Sequence, residues 1–402
     1  MEAFLLEYGN LLLRWLHVIA AIAWIGESIY FVMLDCSLRP PKGEDSKKRG
    51  VFGEMWSVHG GGFYHNQKYL TNPAELPADL HWSFWKAYST WLSGFALFAL
   101  MYLSKPTFYL VNKSSPWEWA AQLSGTQANL MAVAFLIVGY LIYSRMCRLI
   151  SPTMNRDGLL SIAVGVMMVI VAWLACQIFP GRAAFLITGA LMATCMSANV
   201  FFWIIPGQHR MINALKAGQT PNPLDGKLGK QRSVHNTYFT LPVVFLMLSN
   251  HYSFTYTNEH AWIIMSLFIF AGAVIRQYFV LRHTGRNELR YPVIGIILLA
   301  LIGWLAAPSG TPAAAGTGPQ AAVTLQQVQT IVTARCVECH SAKPTYAGFP
   351  AAPAGIMLDT ADEVLMHAQQ IKTVVASQYM PLANLTHMSD EERAVIAAWG
   401  VK

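Results

Sequence analysis

The sequence predicts an all-α protein in which a polytopic membrane helix bundle of about eight spans precedes a small C-terminal helical domain. The 402 residues are 54% hydrophobic and only 12% charged, with a mean hydropathy of +0.37, which is typical of an integral membrane protein. The apolar excess is concentrated in residues 1–306, and the rest of the chain is polar with sparse apolar positions. A membrane domain and a separate polar domain are therefore expected.

The predicted spans follow from apolar windows in the first 306 residues. A helix needs about 20 apolar residues to cross about 30 Å of hydrocarbon, and each window approaches that length. The first window is too long for the apolar region of a signal peptide and has no basic residues before it, so no cleaved export signal is expected. The windows are 11–36, 82–104, 127–150, 159–180, 182–205, 237–256, 260–282 and 290–306.

The distribution of Lys and Arg between the loops predicts the orientation of the spans, because basic loops are retained in the cytoplasm. Alternate loops hold 17 basic residues and the remaining loops hold three. This pattern predicts a bacterial inner-membrane protein with both termini, and hence the C-terminal domain, in the periplasm. The 17 lie in 37–81, 145–158, 206–236 and 281–290, and the three are Lys105, Lys113 and Arg182.

The last part of the chain is predicted to be a separate domain, residues 321–402, joined by a Pro/Gly/Ala-rich linker, residues 307–320. Val328, Ile331 and Val332 mark one face of a helix. Ser389 begins a capping box before a final helix that presents Ile396 and Trp399. Two terminal helices around an irregular middle resemble a small class I cytochrome c.

The motif Cys336-x-x-Cys339-His340 lies just after the first of these helices. C-x-x-C-H is the attachment pattern of c-type haem, in which two thiols bond the haem vinyl groups and the histidine ligates iron. One covalent haem c is therefore predicted. The other four cysteines have no metal-like spacing, and no disulfide is predicted; they are Cys36, Cys147, Cys176 and Cys195.

The second axial ligand of that iron is predicted to be Met380, which lies 40 residues after His340 and directly before Pro381. Methionine ligands of class I cytochromes c occupy such a loop. A purely structural role for Met380 is the alternative reading. The competing ligands are Met357, Met366, Met388, His367 and His387.

Histidines in the membrane region suggest further haem, because polar groups in hydrocarbon are costly and tend to be functional. His17 and His251 are predicted at matched depths near the outer ends of spans one and six, as a bis-histidine b haem requires. Two unrelated, hydrogen-bonded histidines are the alternative. A second set toward the cytoplasm, either haem or substrate ligands or a plain interfacial cluster, is His59, His65, His81 and His235.

Three stretches carry a resemblance to a known family: WSVHGGGFYHNQKY, LHWSFWKAYSTWLSGF and RSVHNTYFTLPVVFLMLSNHY. With the spans and the haem motif, they resemble the bacterial membrane-bound cytochrome c urate oxidases, also called urate hydroxylases, over essentially the whole chain. The membrane stretches carry this resemblance, since C-x-x-C-H is generic. A weaker, local likeness links LHVIAAIAWIGE to haem-binding membrane proteins of the protoporphyrinogen oxidase type, where the helix histidine ligates haem.

The resemblance implies an enzyme that oxidises urate to 5-hydroxyisourate. Electrons would leave through the fused cytochrome to a periplasmic or membrane acceptor leading to a terminal oxidase, instead of forming peroxide. The expected partners are urate, that acceptor and the lipid bilayer, and no nucleic acid is expected. If urate binds at the cytoplasmic side, electrons must cross about 30 Å, so one b haem on His17 and His251 is predicted, with a second on His81 or His235.

A urate site needs a cation or donors, an apolar wall and a group that accepts a proton. Arg276 in span seven and the glycine run 60–62 beside His59 and His65 fit these needs, and Glu27 is a membrane carboxylate with no obvious local partner. The alternatives are a haem-propionate or interhelix pair for Arg276, an interhelix hydrogen bond for Glu27, and a plain turn for the glycines.

Two other functions remain open at the level of sequence. The chain could be a non-catalytic electron-transfer subunit that passes electrons from quinol or a partner dehydrogenase to its haem c. It could also oxidise porphyrins, which rests only on the likeness of its first helix. The polar 37–81 loop and the histidine-rich sixth span favour the urate enzyme, because a pure electron carrier would not need them.

Overall fold

The computed structural model describes residues 2–71, 73, 75–307, 323–346, 351–376 and 379–400. Most of the predicted linker, 307–320, lies outside these residues. The helices are α1 Glu2–Ser37, α2 Glu44–Lys48, α3 Trp85–Phe98, α4 Pro106–Tyr109, α5 Glu118–Ala121, α6 Gly125–Ile150, α7 Asp157–Ile178, α8 Gly181–Asn199, α9 Ile205–Lys216, α10 Pro223–Leu248, α11 Ala261–His283, α12 Arg290–Ala306, α13 Leu325–Arg335, α14 Ala361–Met366, α15 Ala368–Ala376 and α16 Asp390–Ala398.

The fold is mainly helical, but the all-α prediction is wrong in one place. Strands β1, Gly53–His59, and β2, Gly62–Lys68, form an antiparallel hairpin inside the predicted 37–81 loop. Gly60 and Gly61 connect them with φ values of 59° and 81°. Two residues with positive φ make the turn whose twist suits a tight hairpin, and glycine adopts this conformation without steric cost. The glycine run is therefore a turn.

Within the described residues, five helical segments are long and apolar enough to cross a membrane, which fits the membrane prediction. The helix α12 is apolar but shorter, and α3 continues as a π-helical turn, Ala99–Leu103. The count of eight spans stays a prediction. The five segments are Glu7–Ser37, Gly125–Ile150, Asp157–Ile178, Gly181–Lys216 and Ala261–His283.

The helix α10 differs from the predicted sixth span, 237–256. It begins at Pro223, where the Asn222 side chain accepts a hydrogen bond from the Leu224 N–H, and it ends at Leu248. Asn followed by Pro is a strong start signal, since Asn caps the free N–H groups and proline needs no hydrogen bond there. The polar first half of the helix hid this start, because it has the composition of a loop.

The core of the bundle forms around α8, which packs between α6 and α10. Small residues allow this close approach: a Cβ on Gly139 would lie 2.6 Å from Leu191, and one on Gly189 would lie 2.9 Å from Leu246. At the start of α8, a Cβ on Gly181 would lie 2.1 Å from the Tyr256 carbonyl oxygen. Glycine therefore allows a neighbouring leucine side chain or carbonyl group to lie directly against the helix backbone at these three positions.

The four basic loops meet at one end of the bundle, called the basic end below. Asp35, near the end of α1, pairs with Lys68 of the hairpin and with Lys230 of α10, at 2.6 Å each. Gln231 donates to the Ser151 carbonyl at 3.0 Å, which joins the 145–158 loop to α10. Gly285 of the 281–290 loop lies beside Arg39. The four segments with the basic excess thus lie together, while the alternation of eight spans stays a prediction.

Residues 323–400 form a small helical unit with its own apolar core. Its first and last helices, α13 and α16, pack against each other, and the predicted capping box is confirmed, since Ser389 and Glu392 exchange hydrogen bonds with each other's backbone N–H. The unit lies at the end opposite the basic end. Tyr379 packs against the bundle core there, and the Tyr346 and Phe108 rings are 6.2 Å apart.

Candidate functional site

A buried polar cluster lies inside the bundle near the basic end, between α6, α8 and α10. We call it the Arg232 cluster. Arg232, His235 and Asn236 lie on one face of α10 because residues three and four apart are neighbours on a helix. The helices α6 and α8 contribute the residues that face them. The cluster consists of Tyr143, Asn199, Arg232, His235 and Asn236, with Trp203 beside it.

Arg232 is the largest fully buried side chain of the described chain, at 1% exposure. Its Cζ lies 4.6 Å from the Trp203 ring centroid and 5.4 Å from that of Tyr143. Among the residues that the structure describes, Nε and Nη1 have no hydrogen-bond partner. Ring faces attract a cation, but a buried charge ordinarily also has a paired anion. The guanidinium is therefore only partly compensated.

The Asp157 carboxylate, which follows the 151–156 turn at the basic end, is bonded to other groups than Arg232. Asp157 Oδ1 accepts hydrogen bonds from Ser151 Oγ at 2.6 Å and from Gln231 Nε2 at 2.8 Å. Within the described residues, Arg232 forms no ion pair with it or with any other acid. The cluster consequently holds a buried guanidinium with no acidic partner among the described residues.

The other members of the cluster form a short hydrogen-bond chain. Asn199 Nδ2 donates to Tyr143 Oη and to Asn236 Oδ1, both at 2.9 Å. Tyr143 Oη lies 2.7 Å from His235 Nδ1, so the tyrosine proton is assigned to that bond and the histidine proton to Nε2. In the described chain, Asn199 Oδ1 is buried without a partner. The cluster thus offers free N–H donors, one free acceptor and aromatic walls.

The second site is the C-x-x-C-H segment of the small unit. His340 Nδ1 lies 3.0 Å from the Ile356 carbonyl oxygen, which accepts the Nδ1 proton and leaves Nε2 for a ligand. Burial raises the pKa of the Cys336 thiol to about 12, and burial also raises the pKa of Cys339. Cys336 packs against the apolar core of the unit. The Cys336 sulfur is therefore an uncharged group in apolar surroundings, and converting it to a thioether would remove no ionic interaction.

Met380 lies half-buried in a loop that hydrogen bonds fix in position. Its N–H donates to the Val374 carbonyl at 2.9 Å, and its own carbonyl accepts from Arg393 Nη1 at 3.0 Å. Of the competing methionines, Met366 is 78% exposed and Met388 is buried in the apolar core. Met357 is also exposed, and His367 lies near Gln370 and His387 near the chain surface.

His17 lies against α3, where Nδ1 is 3.0 Å from the Thr90 carbonyl oxygen and 3.1 Å from Ser93 Oγ. The imidazole occupies the space that a side chain on Gly94 would need, since a Cβ there would lie 2.8 Å from Cε1. Thr90 thus holds the Nδ1 proton and leaves Nε2 free, as in a histidine that ligates a metal.

The predicted depth match of His17 with His251 is wrong. His251 is an exposed residue of the 3-10 turn Ser249–His251, beyond the end of α10. Its neighbour Asn250 accepts a hydrogen bond from Tyr102 at 3.0 Å, whereas His17 lies level with Gly94, about 12 Å further along that helix. The early end of α10 is the physical reason. The structure does not bring the two histidines together.

The histidines predicted toward the cytoplasm are not gathered into one site. His235 belongs to the Arg232 cluster, whereas His59 is exposed at the end of β1. His65 on β2 stacks on Trp56 at 4.2 Å and lies 3.1 Å from Glu54 Oε2. The pKa of Glu54 is lowered, first by the Lys42 backbone N–H and then by His65. These contacts stabilise the hairpin.

His81 is exposed in the segment before α3 and lines a pocket of about 280 Å³ with Trp82, Gln208 and Met211. The Trp82 ring stacks on His209 at 4.4 Å. This pocket also lies at the basic end. Over the described residues, no group of three or more His, Cys, Asp or Glu side chains has an arrangement that could hold a metal ion.

Two charged side chains predicted as site residues in the membrane region, Glu27 and Arg276, have other surroundings than expected. Glu27 has a partner after all, since its Oε1 lies 2.8 Å from Lys86 Nζ of α3, which fits the interhelix alternative. Arg276 of α11 is 5% exposed, and its Nε has no hydrogen-bond partner in the described part of the chain. Next to it, Tyr238 of α10 donates to Gln277.

Sequence reasoning missed Arg232, Tyr143 and Asn199. Arg232 was counted among the charges of the 206–236 loop, because the sixth span was placed from 237 onward. One signal was available: Arg232, His235 and Asn236 have the i, i+3, i+4 spacing of one helix face, directly before an apolar run. Tyr143 and Asn199 carry no such signal, since their roles depend on helix packing.

The long apolar helices are compatible with a membrane protein, and the Arg232 cluster is a buried polar site within the helical bundle. Residues 3–307 match the family described as urate oxidase N-terminal, which is more than half of the chain. The chain belongs to this family, and the membership supports a function related to urate. No curated protein and no solved structure matches the chain.

Proposed function

We propose that the chain oxidises urate to 5-hydroxyisourate in its membrane domain and passes the electrons to a c-type haem on residues 323–400. The observation that carries the proposal is the presence, on one chain, of the urate oxidase family region and of a C-x-x-C-H segment whose His340 has its Nε2 left free. The half-reaction is balanced: urate anion and water give 5-hydroxyisourate, one proton and two electrons.

The residues of the small unit fit a covalent haem. Cys336 and Cys339 would hold it through thioether bonds, and His340 and Met380 would ligate its iron. The Ile356 carbonyl fixes the His340 ring, and Arg393 and Val374 hold the Met380 loop. When bound, the haem supplies a one-electron acceptor.

We also propose a non-covalent b haem in the membrane domain. The site and the small unit lie at opposite ends of the bundle, so electrons need an intermediate carrier. His17 lies between the two ends, with the donor arrangement of a ligand. His17→Ala should remove extractable haem and leave covalent haem in place. A pyridine haemochrome spectrum of both fractions tests this, and unchanged extractable haem would contradict it.

The direct test of the proposed function uses the purified protein in detergent. Urate should reduce haem c, followed by its absorption band near 550 nm, without forming peroxide. One molecule of 5-hydroxyisourate should appear for every two electrons transferred. A protein whose haem c is reduced by quinol but never by urate would be the non-catalytic electron carrier instead. Reduction of haem c by protoporphyrinogen but not by urate would indicate an enzyme that oxidises porphyrins.

The proposed location is the bacterial inner membrane, with both termini and the haem c unit in the periplasm. The four basic loops share one end of the bundle and the small unit packs at the other, which supports a cytoplasmic basic end. The electron acceptor would then be a periplasmic or membrane carrier.

A further inference from the structure

We infer that the Arg232 cluster is the binding site for the substrate anion, a planar purine that carries one negative charge. This inference rests on the proposed function, which it deepens by assigning residues to the substrate. None of the four side chains predicted as catalytic belongs to the cluster, since His59 and His65 lie on the hairpin, Glu27 pairs with Lys86, and Arg276 lies on α11.

The first argument is charge. Arg232 is 1% exposed and, in the described chain, two of its nitrogens have no partner. An uncompensated buried guanidinium is costly unless an anion joins it. The two free nitrogens, Nε and Nη1, donate toward different edges of the guanidinium and so offer two separate charged N–H donors to an anion. An anion bound here would complete the hydrogen bonding of Arg232.

The second argument is shape and hydrogen bonding. The rings of Trp203 and Tyr143 flank the guanidinium, and flat aromatic walls suit a flat heterocycle. Asn199 Oδ1 is a buried acceptor without a partner in the described residues, and a purine anion still carries ring N–H donors that could satisfy it. Donors and an acceptor side by side distinguish a purine from a simple anion such as chloride.

The third argument is proton transfer. Addition of water to C5 forms one C–O bond and releases a proton, while two electrons pass singly to the haem acceptor. Tyr143 Oη is bonded to His235 Nδ1 at 2.7 Å, so a proton that reaches the tyrosine can continue to the histidine. The pair lies in the same cluster as the cation.

The experiment measures urate binding apart from turnover. The protein is first reduced with dithionite under anaerobic conditions, so its haem cannot accept electrons, and binding of radiolabelled urate is then measured by equilibrium dialysis. Arg232→Gln should weaken binding about 100-fold, as expected for loss of a buried charged partner. Arg232→Lys keeps the charge but loses the planar guanidinium and its separate N–H donors, and it should weaken binding about tenfold.

The matched control is Arg210→Gln. Arg210 also lies at the basic end, but its side chain is 59% exposed and pairs with Asp225 at 2.6 Å. Its substitution should leave urate binding and urate-dependent haem reduction unchanged. Arg232→Gln should also keep or raise the melting temperature of the urate-free protein, because it removes an unpaired buried charge. A merely structural arginine would show a lower melting temperature.

The outcomes separate the two proposals. If Arg232→Gln binds and oxidises urate like the wild type, the site assignment is wrong and the proposed function stands. If binding is lost in Arg276→Gln but not in Arg232→Gln, the anion site lies against α11 and the assignment is again wrong. If the wild type neither binds urate nor is reduced by it, the proposed function itself fails, and the assignment fails with it.

Discussion

Single side chains carry the chemistry of this protein, and their roles depend on what their free atoms face. His17 and His340 each place Nδ1 against a backbone carbonyl, so each keeps Nε2 available. His235 instead places Nδ1 against a tyrosine hydroxyl. The sequence predicted His340 through its motif, but it could not distinguish the other two, because the difference lies in contacts with neighbouring helices.

The tyrosine of the Arg232 cluster offers a test of proton transfer. Tyr143→Phe keeps the ring that flanks Arg232 but removes the hydroxyl bonded to His235. The rate of urate-dependent haem c reduction should fall about 10²- to 10⁴-fold, as for loss of a general base, while binding to the reduced protein stays within about threefold. Single-turnover kinetics and dialysis measure the two effects.

The control for that substitution is Tyr140→Phe. Tyr140 lies three residues earlier on α6, and its ring stacks on that of Phe202 with 6.0 Å between the centroids. It should change neither rate nor binding. Equal rates for the Tyr143→Phe and wild-type proteins would show that the proton leaves by another route.

Met380 provides the residue-scale test at the haem c end. Met380→Ala should leave the haem attached through Cys336 and Cys339 but lower its reduction potential, because a methionine ligand raises it. Potentiometric titration of the haem c band measures the shift. The control is Met366→Ala, since Met366 is 78% exposed, and it should leave the potential unchanged. A shift in Met366→Ala alone would reassign the ligand.

At the scale of elements, the sequence predicted what has a strong local signal. The long apolar helices and the capping box at Ser389 have such signals and are present. The hairpin was missed although two glycines separate runs with strand-forming residues, because basic and polar residues around it indicated a loop. The start of α10 was missed because its first half is polar, being packed against other polar side chains at the basic end.

Contact between elements can be tested at the start of α8. Gly181→Ala adds a Cβ that would lie 2.1 Å from the Tyr256 carbonyl oxygen, so the loop before α11 must move. Overpacking of this kind costs about 1–3 kcal/mol or more, and the melting temperature in detergent should fall. Gly158→Ala, in the first turn of α7 with open space around it, should leave the melting temperature unchanged or slightly higher. Equal melting temperatures for the two variants would contradict the close packing.

At the scale of the whole molecule, the alternation of basic and non-basic loops was predictable and the positions of the sites were not. Charge counts need only the sequence, and the structure indeed collects the four basic loops at one end. The Arg232 cluster needs three helices, α6, α8 and α10, to be packed together before its members meet. Likewise, Tyr379 reaches the bundle core only through the placement of the small unit.

The length of α10 has an electrical consequence. From Arg232 to Asn250, beside the small unit, the chain advances 18 residues, about 27 Å along the helix axis. With the basic end in the cytoplasm, each turnover sends two electrons outward across most of the bilayer and leaves a proton inside. Urate oxidation would then be electrogenic, and an inside-negative potential would drive it, by up to about 2.3 kcal/mol per electron at 100 mV.

Proteoliposomes with a potassium diffusion potential and valinomycin test this consequence, with single-turnover reduction of haem c as the readout. In vesicles oriented as in the cell, reduction should be faster with the inside negative than with the inside positive, and the difference should vanish without a potassium gradient. Identical rates at both polarities would mean that the electrons do not cross the membrane, and urate would then be oxidised on the same side as the haem. A urate oxidase of this design would slow as the inside-negative potential collapses, which ties purine breakdown to the energised state of the membrane.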